Sequence, residues 1–91
     1  MVYVVAEYKV KQEKRKDFLT AAIMLQSQSQ QEGGCKIYKL VQKDGEDNTF
    51  AFFEIWRCPQ SLNLHKNMRH YQQLVPVLEA CSDSFEVKMY S

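Results

Sequence analysis

The run Phe50-Ala51-Phe52-Phe53-Glu54-Ile55-Trp56 restricts the fold more than any other part of the chain. In a strand, successive side chains point to opposite faces. Phe50, Phe52 and Trp56 therefore share one face, and Ala51, Phe53 and Ile55 share the other. A strand solvated on one side alternates apolar with polar residues, whereas this one needs cover on both. One ionisable group, Glu54, sits on the face that carries the indole.

The remaining elements fall into place around that strand. Val2 to Val10 is rich in β-branched and aromatic residues and reads as a strand that is partly apolar on both faces. Gln12 to Glu32 reads as a long helix, with Phe18, Ala22 and Leu25 at helical spacing and Gly33-Gly34 as a left-handed stop. Its polar end, Gln26 to Gln31, contains indifferent helix formers. Cys35 to Gln42 and Thr49 to Arg57 are two strands joined by a charged hairpin loop, Lys43 to Asn48.

Pro59 suits the first position of a short helix, Gln60 to Asn67, with Leu62 and the Leu64/His65 edge inward. Arg69 to Cys81 places Tyr71, Leu74, Val75 and Leu78 on one face, and Pro76 is expected to kink or divide that helix. Ser82 to Ser84 reads as a loop before a closing strand, Phe85 to Tyr90. The order βαββαβ, with right-handed crossovers, predicts an α+β fold: a ferredoxin-like antiparallel sheet with its helices on one face. The opposite apolar face is then a large exposed patch, for which a second copy of the same sheet is the simplest cover.

Ninety-one residues make a single domain, 1–91. Twelve basic residues against eleven acidic ones leave a net charge of +1, too little to imply a nucleic-acid or anionic-membrane partner. Cys35, Cys58 and Cys81 are odd in number and lack C-x-x-C spacing, so neither a disulfide framework nor a zinc knuckle is expected. The first ten residues do not read as a signal peptide, and no apolar run approaches a membrane span. The expected setting is the cytoplasm.

Chemistry-bearing residues are few. Glu54, among aromatic neighbours on its strand face, is a carboxylate that burial would push toward a base useful near neutral pH; the alternative is a salt bridge to a helix Lys or Arg. Trp56 offers a flat wall for an aromatic substrate, or else is core. His65 can exchange a proton near pH 7, or can simply bond a backbone carbonyl. His70 follows at i+5 rather than the i+4 that aligns two metal ligands on a helix, so no metal site is expected. Tyr8 and Tyr38 are candidate donors to a substrate oxygen. Cys35 reads as a small buried residue, and Lys9, Lys11, Lys14, Arg15 and Lys16 as a solvated face.

The pattern Glu54-x-Trp56, followed by Leu62, His65 and His70-Tyr71, resembles the antibiotic biosynthesis monooxygenase family of dimeric α+β barrels. So do Glu32-Gly33-Gly34-Cys35-x-x-Tyr38 and the first strand, VVAEYKV. The resemblance implies a homodimer with a small-molecule pocket. It makes Glu54 and His65 the catalytic candidates and Trp56, Tyr8, Phe52, Tyr38, His70 and Tyr71 the substrate-binding ones. The family includes cofactor-free oxygenases of quinols and polyketide aromatics, haem-degrading enzymes, an isomerase of phosphorylated autoinducer-2, and members without known activity. Haem-degrading members carry an Asn where this chain has Tyr8, and the polyketide oxygenases carry one where it has Phe52. The quinol-oxygenase-like and autoinducer-2 phosphate branches remain.

Three functions compete at this level. One is an enzyme that deprotonates a small dihydroxy-aromatic, or an enolisable phosphorylated dicarbonyl, against Trp56; the anion then meets molecular oxygen or is reprotonated elsewhere. Neither route needs a flavin, haem or metal, and the chain has no G-x-G-x-x-G and no P-loop. The second is an RNA-recognition module, since Phe50 to Ile55 superficially resembles that fold's aromatic strand, although Asn48-Thr49 replaces the basic residue and Gly expected there. The third is a catalytically silent dimer that binds a metabolite.

Overall fold

A computed structural model describes the whole chain, residues 1–91. Four strands, β1 (Val2–Val10), β2 (Cys35–Gln42), β3 (Thr49–Trp56) and β4 (Ser82–Tyr90), form one antiparallel sheet in the order β2-β3-β1-β4. This is the expected ferredoxin-like α+β arrangement, with α1 (Arg15–Ser29), α2 (Pro59–Lys66) and α3 (Arg69–Ala80) on one face. A 3-10 turn at Gln12–Lys14 precedes α1.

Alternation along the central strands decides what is core. On β1 the even-numbered residues, Val2 through Val10, are buried under the helices, and on β3 the same face carries Phe50, Phe52, Glu54 and Trp56. Phe18 of α1 packs its ring 5.5 Å from both Tyr8 and Phe50, tying helix to sheet where β1 and β3 pair. The opposite face leaves Tyr3, Ile37 and Phe53 nearly half exposed.

Three expectations need correction. α1 stops at Ser29, and Gly33-Gly34 does not close it in a left-handed conformation: the only positive φ in the chain belongs to Gly45, in the hairpin loop. The polar end of α1 has another use. Gln26 Oε1 accepts a hydrogen bond from the Leu40 amide (2.7 Å), and Gln30 Nε2 donates to the Tyr38 carbonyl (2.9 Å). These are outward-facing backbone groups of edge strand β2, which would otherwise be open to pairing with another chain.

Of the two outcomes expected at Pro76, division does not occur: α3 runs unbroken from Arg69 to Ala80. Ser82 to Ser84 belongs to β4 rather than to a loop: Ser82 pairs with Val10 across a register shift, and its hydroxyl donates to the Leu78 carbonyl at 2.7 Å. Leu64 points outward at 62% exposed, and only Leu62 and His65 of α2 are buried. Two of these three positions are connections, where local hydrogen bonding outweighs periodicity.

Candidate active site

Register builds the site row by row. Tyr38 of β2, Glu54 of β3 and Val4 of β1 lie abreast, and Met89 of β4 completes the row. Trp56 is two residues beyond Glu54 on the same face, and its indole Nε1 donates to Glu54 Oε1 at 2.9 Å. The second oxygen of Glu54 has no protein partner. α2 starts at Pro59 just after β3, so one and a half turns later it drops His65 onto the indole, with ring centroids 4.4 Å apart. Tyr71 of α3 meets the imidazole edge-on at 5.1 Å, and Tyr38 lies at 5.5 Å from it.

Burial sets the protonation of the two candidate bases. Glu54 is 6% exposed, and burial pushes its carboxyl up to about 7, partly offset by the Trp56 N–H; the Glu32 carboxylate raises it further and Lys66 lowers it. His65 is held below the usual imidazole range, again chiefly by burial, against the opposing pull of Glu32. Burial also raises the Tyr8, Tyr38 and Tyr71 hydroxyls, so all three remain donors at neutral pH. Trp56→Phe removes the one hydrogen bond to the Glu54 carboxylate, so its midpoint is expected to rise above about 7. A carboxyl ¹³C titration of the variant reads this directly, and an unchanged or lower midpoint contradicts it.

The chain thus brings Glu54, Trp56, His65, Tyr38, His70 and Tyr71 together, with Phe52 and Tyr8 one and two rows along the sheet. Their environments differ from what a strand-face pattern suggests. Trp56 is fully buried and Phe52 is 1% exposed, its ring between those of Tyr8 and Tyr38. The indole's stacking partner is His65, and its N–H is turned to Glu54, so Trp56 contacts both side chains here instead of presenting a free face. The space between β3 and α2 is filled by this stack.

A cavity of about 350 Å³ is lined by Val2, Leu62, Asn63, Lys66 and Met89 among others, neighbours of the stack in sheet register and on α2; Glu54 and His65 themselves do not line it. Along the helix-side face of β4, Phe85, Val87 and Met89 form a half-exposed apolar strip abreast of Tyr8, Ala6 and Val4. Of the aromatic run that resembled an RNA-binding strand, Phe50 and Phe52 face the helices and Phe53 alone is exposed.

Glu32 is the participant that residue-by-residue reading missed. It lies in the turn after α1 and reaches across to α2 and α3, where its Oε2 stands 2.6 Å from His65 Nδ1 and 2.7 Å from His70 Nε2. Its place in the Glu32-Gly33-Gly34-Cys35 motif was the available signal. These three groups also have the composition of a 2-His-1-carboxylate metal site, and their donor atoms lie within 4.8 Å of one another. Two ligands on one ion at about 2.0–2.2 Å stand roughly 2.9 Å or more apart. The 2.6 and 2.7 Å contacts are closer than that and fit hydrogen bonds.

Fold and site together define a small ferredoxin-like α+β protein with a buried acid–indole–imidazole cluster between sheet and helices. The sequence model of antibiotic biosynthesis monooxygenases matches residues 1–77, and the chain belongs to that family. YcnE of Bacillus subtilis (strain 168), whose name carries a proposed monooxygenase activity, is 39% identical over 75 residues, 82% of this chain and 79% of its own. A crystal structure of an antibiotic biosynthesis monooxygenase superposes with a TM-score of 0.95 at 26% identity, covering 100% of this chain and 97% of the other. A conserved protein from Methanosarcina mazei Go1 gives 0.94 at 29% identity, covering 98% and 89%. No helix is long and apolar enough to cross a membrane.

Proposed function

We propose that the protein is a cofactor-independent monooxygenase of a small dihydroxy-aromatic, quinol-like substrate. The carrying observation is Glu54, a buried carboxyl pushed up to about 7 and with one oxygen free, next to an imidazole that burial keeps neutral. A base is most effective when its pKa lies near the working pH, and Glu54 meets that condition. In this reading the substrate binds in the cavity beside Lys66 and the apolar strip of β4, and a shift of the Leu62 and Met89 side chains in its wall opens the way to Glu54, which takes a phenolic proton, with His65 available for the second. The electron-rich anion reduces molecular oxygen directly. One oxygen atom enters the ring and the other leaves as water, with the substrate supplying the electrons. Tyr8, Tyr71 and Tyr38, all protonated, are the donors for the developing oxyanion.

Oxygen uptake over a panel of quinols tests this. Wild type is expected to consume oxygen, and Glu54→Gln and His65→Ala to lose about 10²-fold or more of the rate. Equal rates in all three proteins on every substrate would remove the proposal. A second reading, proton transfer within an enolisable phosphorylated dicarbonyl, draws support from Lys66 and Asn63 in the cavity wall. It predicts deuterium incorporation by NMR without oxygen uptake.

The proposed working unit is a homodimer closed through the helix-free face of the sheet, where Tyr3, Ile37 and Phe53 are 43–48% exposed beside half-buried Val5 and Ile55. At micromolar concentration the mass in solution is expected to be that of two chains, falling to one in Phe53→Glu. A wild-type mass of one chain contradicts the dimer.

A further inference from the structure

The Glu32 contacts settle which nitrogen of each ring carries hydrogen. A carboxylate only accepts hydrogen bonds, so both ring nitrogens that meet Oε2 must donate. His65 is then protonated at Nδ1 and His70 at Nε2. A neutral His65 with hydrogen on Nδ1 has its lone pair on Nε2, the nitrogen that makes no hydrogen bond within the protein. The free imidazole side chain favours the other tautomer, so this choice is imposed.

The ring cannot easily escape. Trp56 covers one face, Tyr71 and Tyr38 crowd it, and its side chain is 2% exposed. Glu32 is fixed in turn, since its amide donates to the Ser29 carbonyl (3.1 Å) and its own carbonyl accepts from the Cys35 amide (3.0 Å). The carboxylate therefore arrives from a third element, braced against α1 and β2, and locks α2 to α3 through their two histidines.

We propose that Glu32 is a positioning residue. Through one oxygen it sets the tautomers of both imidazoles, presents Nε2 of His65 as a proton acceptor, and offsets the charge of His65 once it is protonated. The step it serves is simple: a substrate O–H bond breaks, an Nε2–H bond forms, and the imidazolium stays bound to the Glu32 carboxylate through Nδ1–H. The charged or titratable groups around His65 are Glu32 and His70, Lys66 on its own helix, Glu54 on β3 across the Trp56 indole, and the Tyr38 and Tyr71 hydroxyls. The catalytic consequence rests on the acid–base reading of His65 above; the tautomer assignment does not.

The test uses the full chain labelled with ¹⁵N-histidine, whose two rings are told apart with His70→Asn. Long-range ¹H–¹⁵N correlation is expected to show His65 with hydrogen on Nδ1 and His70 with hydrogen on Nε2 in wild type, and His65 shifting toward the Nε2–H form in Glu32→Ala. Hydrogen on Nε2 of His65 in wild type would overturn the proposal. So would an unchanged tautomer in Glu32→Ala. Because this readout needs no substrate, it stands even if no oxygenase activity is found.

With an active substrate, Glu32→Gln keeps the shape and removes the charge. Since the Glu32 charge raises the pKa of both His65 and Glu54, the acid limb of the rate profile is expected to move to lower pH. A purely structural role would depress the rate at every pH without moving the limb. Zinc titration provides a further check: one equivalent bound at micromolar concentration, shifting both rings, would make the trio a metal site and displace the positioning role.

Discussion

Glu54→Gln is expected to be more stable than wild type at pH 8, by about 3 kcal/mol, and no more stable below pH 4.5. The carboxyl titrates near 4.5 in the unfolded chain and near 7 in the folded one. Below the lower value it is protonated in both states and contributes no difference. Between the two, the unfolded chain releases the proton and the folded chain does not, so stability falls as pH rises. Above 7 the folded protein holds a buried carboxylate at full cost. Glutamine avoids that cost, and its carbonyl still accepts the Trp56 N–H. In a domain of this size the difference corresponds to roughly 10 °C or more in Tm. Melting curves of both proteins from pH 4 to 9 would show it, and a Tm difference that is flat with pH would contradict it. Should Glu54→Gln also lose the turnover proposed above, the carboxylate has been kept at the expense of stability, the mark of a functional group.

The second large effect is at Gly34. A Cβ there would lie 2.3 Å from the Ser61 Cβ and 2.1 Å from its Oγ. No rotamer of Ser61 moves its Cβ, so the first turn of α2 must retreat, while the Gly34 carbonyl is held at 2.8 Å by the Arg57 amide. Overpacking of this kind costs about 1–3 kcal/mol. Here it also shifts the helix that carries His65, so Gly34→Ala is expected to lose both stability and activity. Ser61→Gly removes the obstructing atom, and the double variant Gly34→Ala/Ser61→Gly is expected to recover most of the loss. Denaturant melts of the four proteins form the cycle. Additive losses would show that the clash is not the cause.

Gly34 also shows where the sequence was legible and where it was not. Two glycines after a helical pattern resemble a C-cap, because a cap is a local device and its residues are adjacent in the chain. The true requirement, room for Ser61, joins residues far apart in sequence and leaves no periodic trace. The strands were readable for the opposite reason. β1 and β3 are long, β-branched or aromatic, and alternate against a helix layer, so their bounds and faces follow from composition. The Glu54–Trp56–His65 grouping was readable from a strand face followed by a short helix and from the family pattern. What escaped was Glu32. A polar residue in a turn has no distinguishing period, and only the packing of α3 against both α1 and α2 brings it to both histidines. The glutamines of α1 were misjudged likewise, since their value lies in edge strand β2 rather than in the helix.

The claim on which the account turns is that Glu54 titrates near neutral pH inside the folded protein. A ¹³C titration of glutamate carboxyl carbons in the wild type, with the Glu54 signal assigned by its absence from Glu54→Gln, measures this without any substrate. The account predicts a midpoint near 7, with the protein folded throughout. A midpoint at or below the ordinary glutamate value, near 4.5, would mean that Glu54 is a permanently charged group and not the poised base of this site.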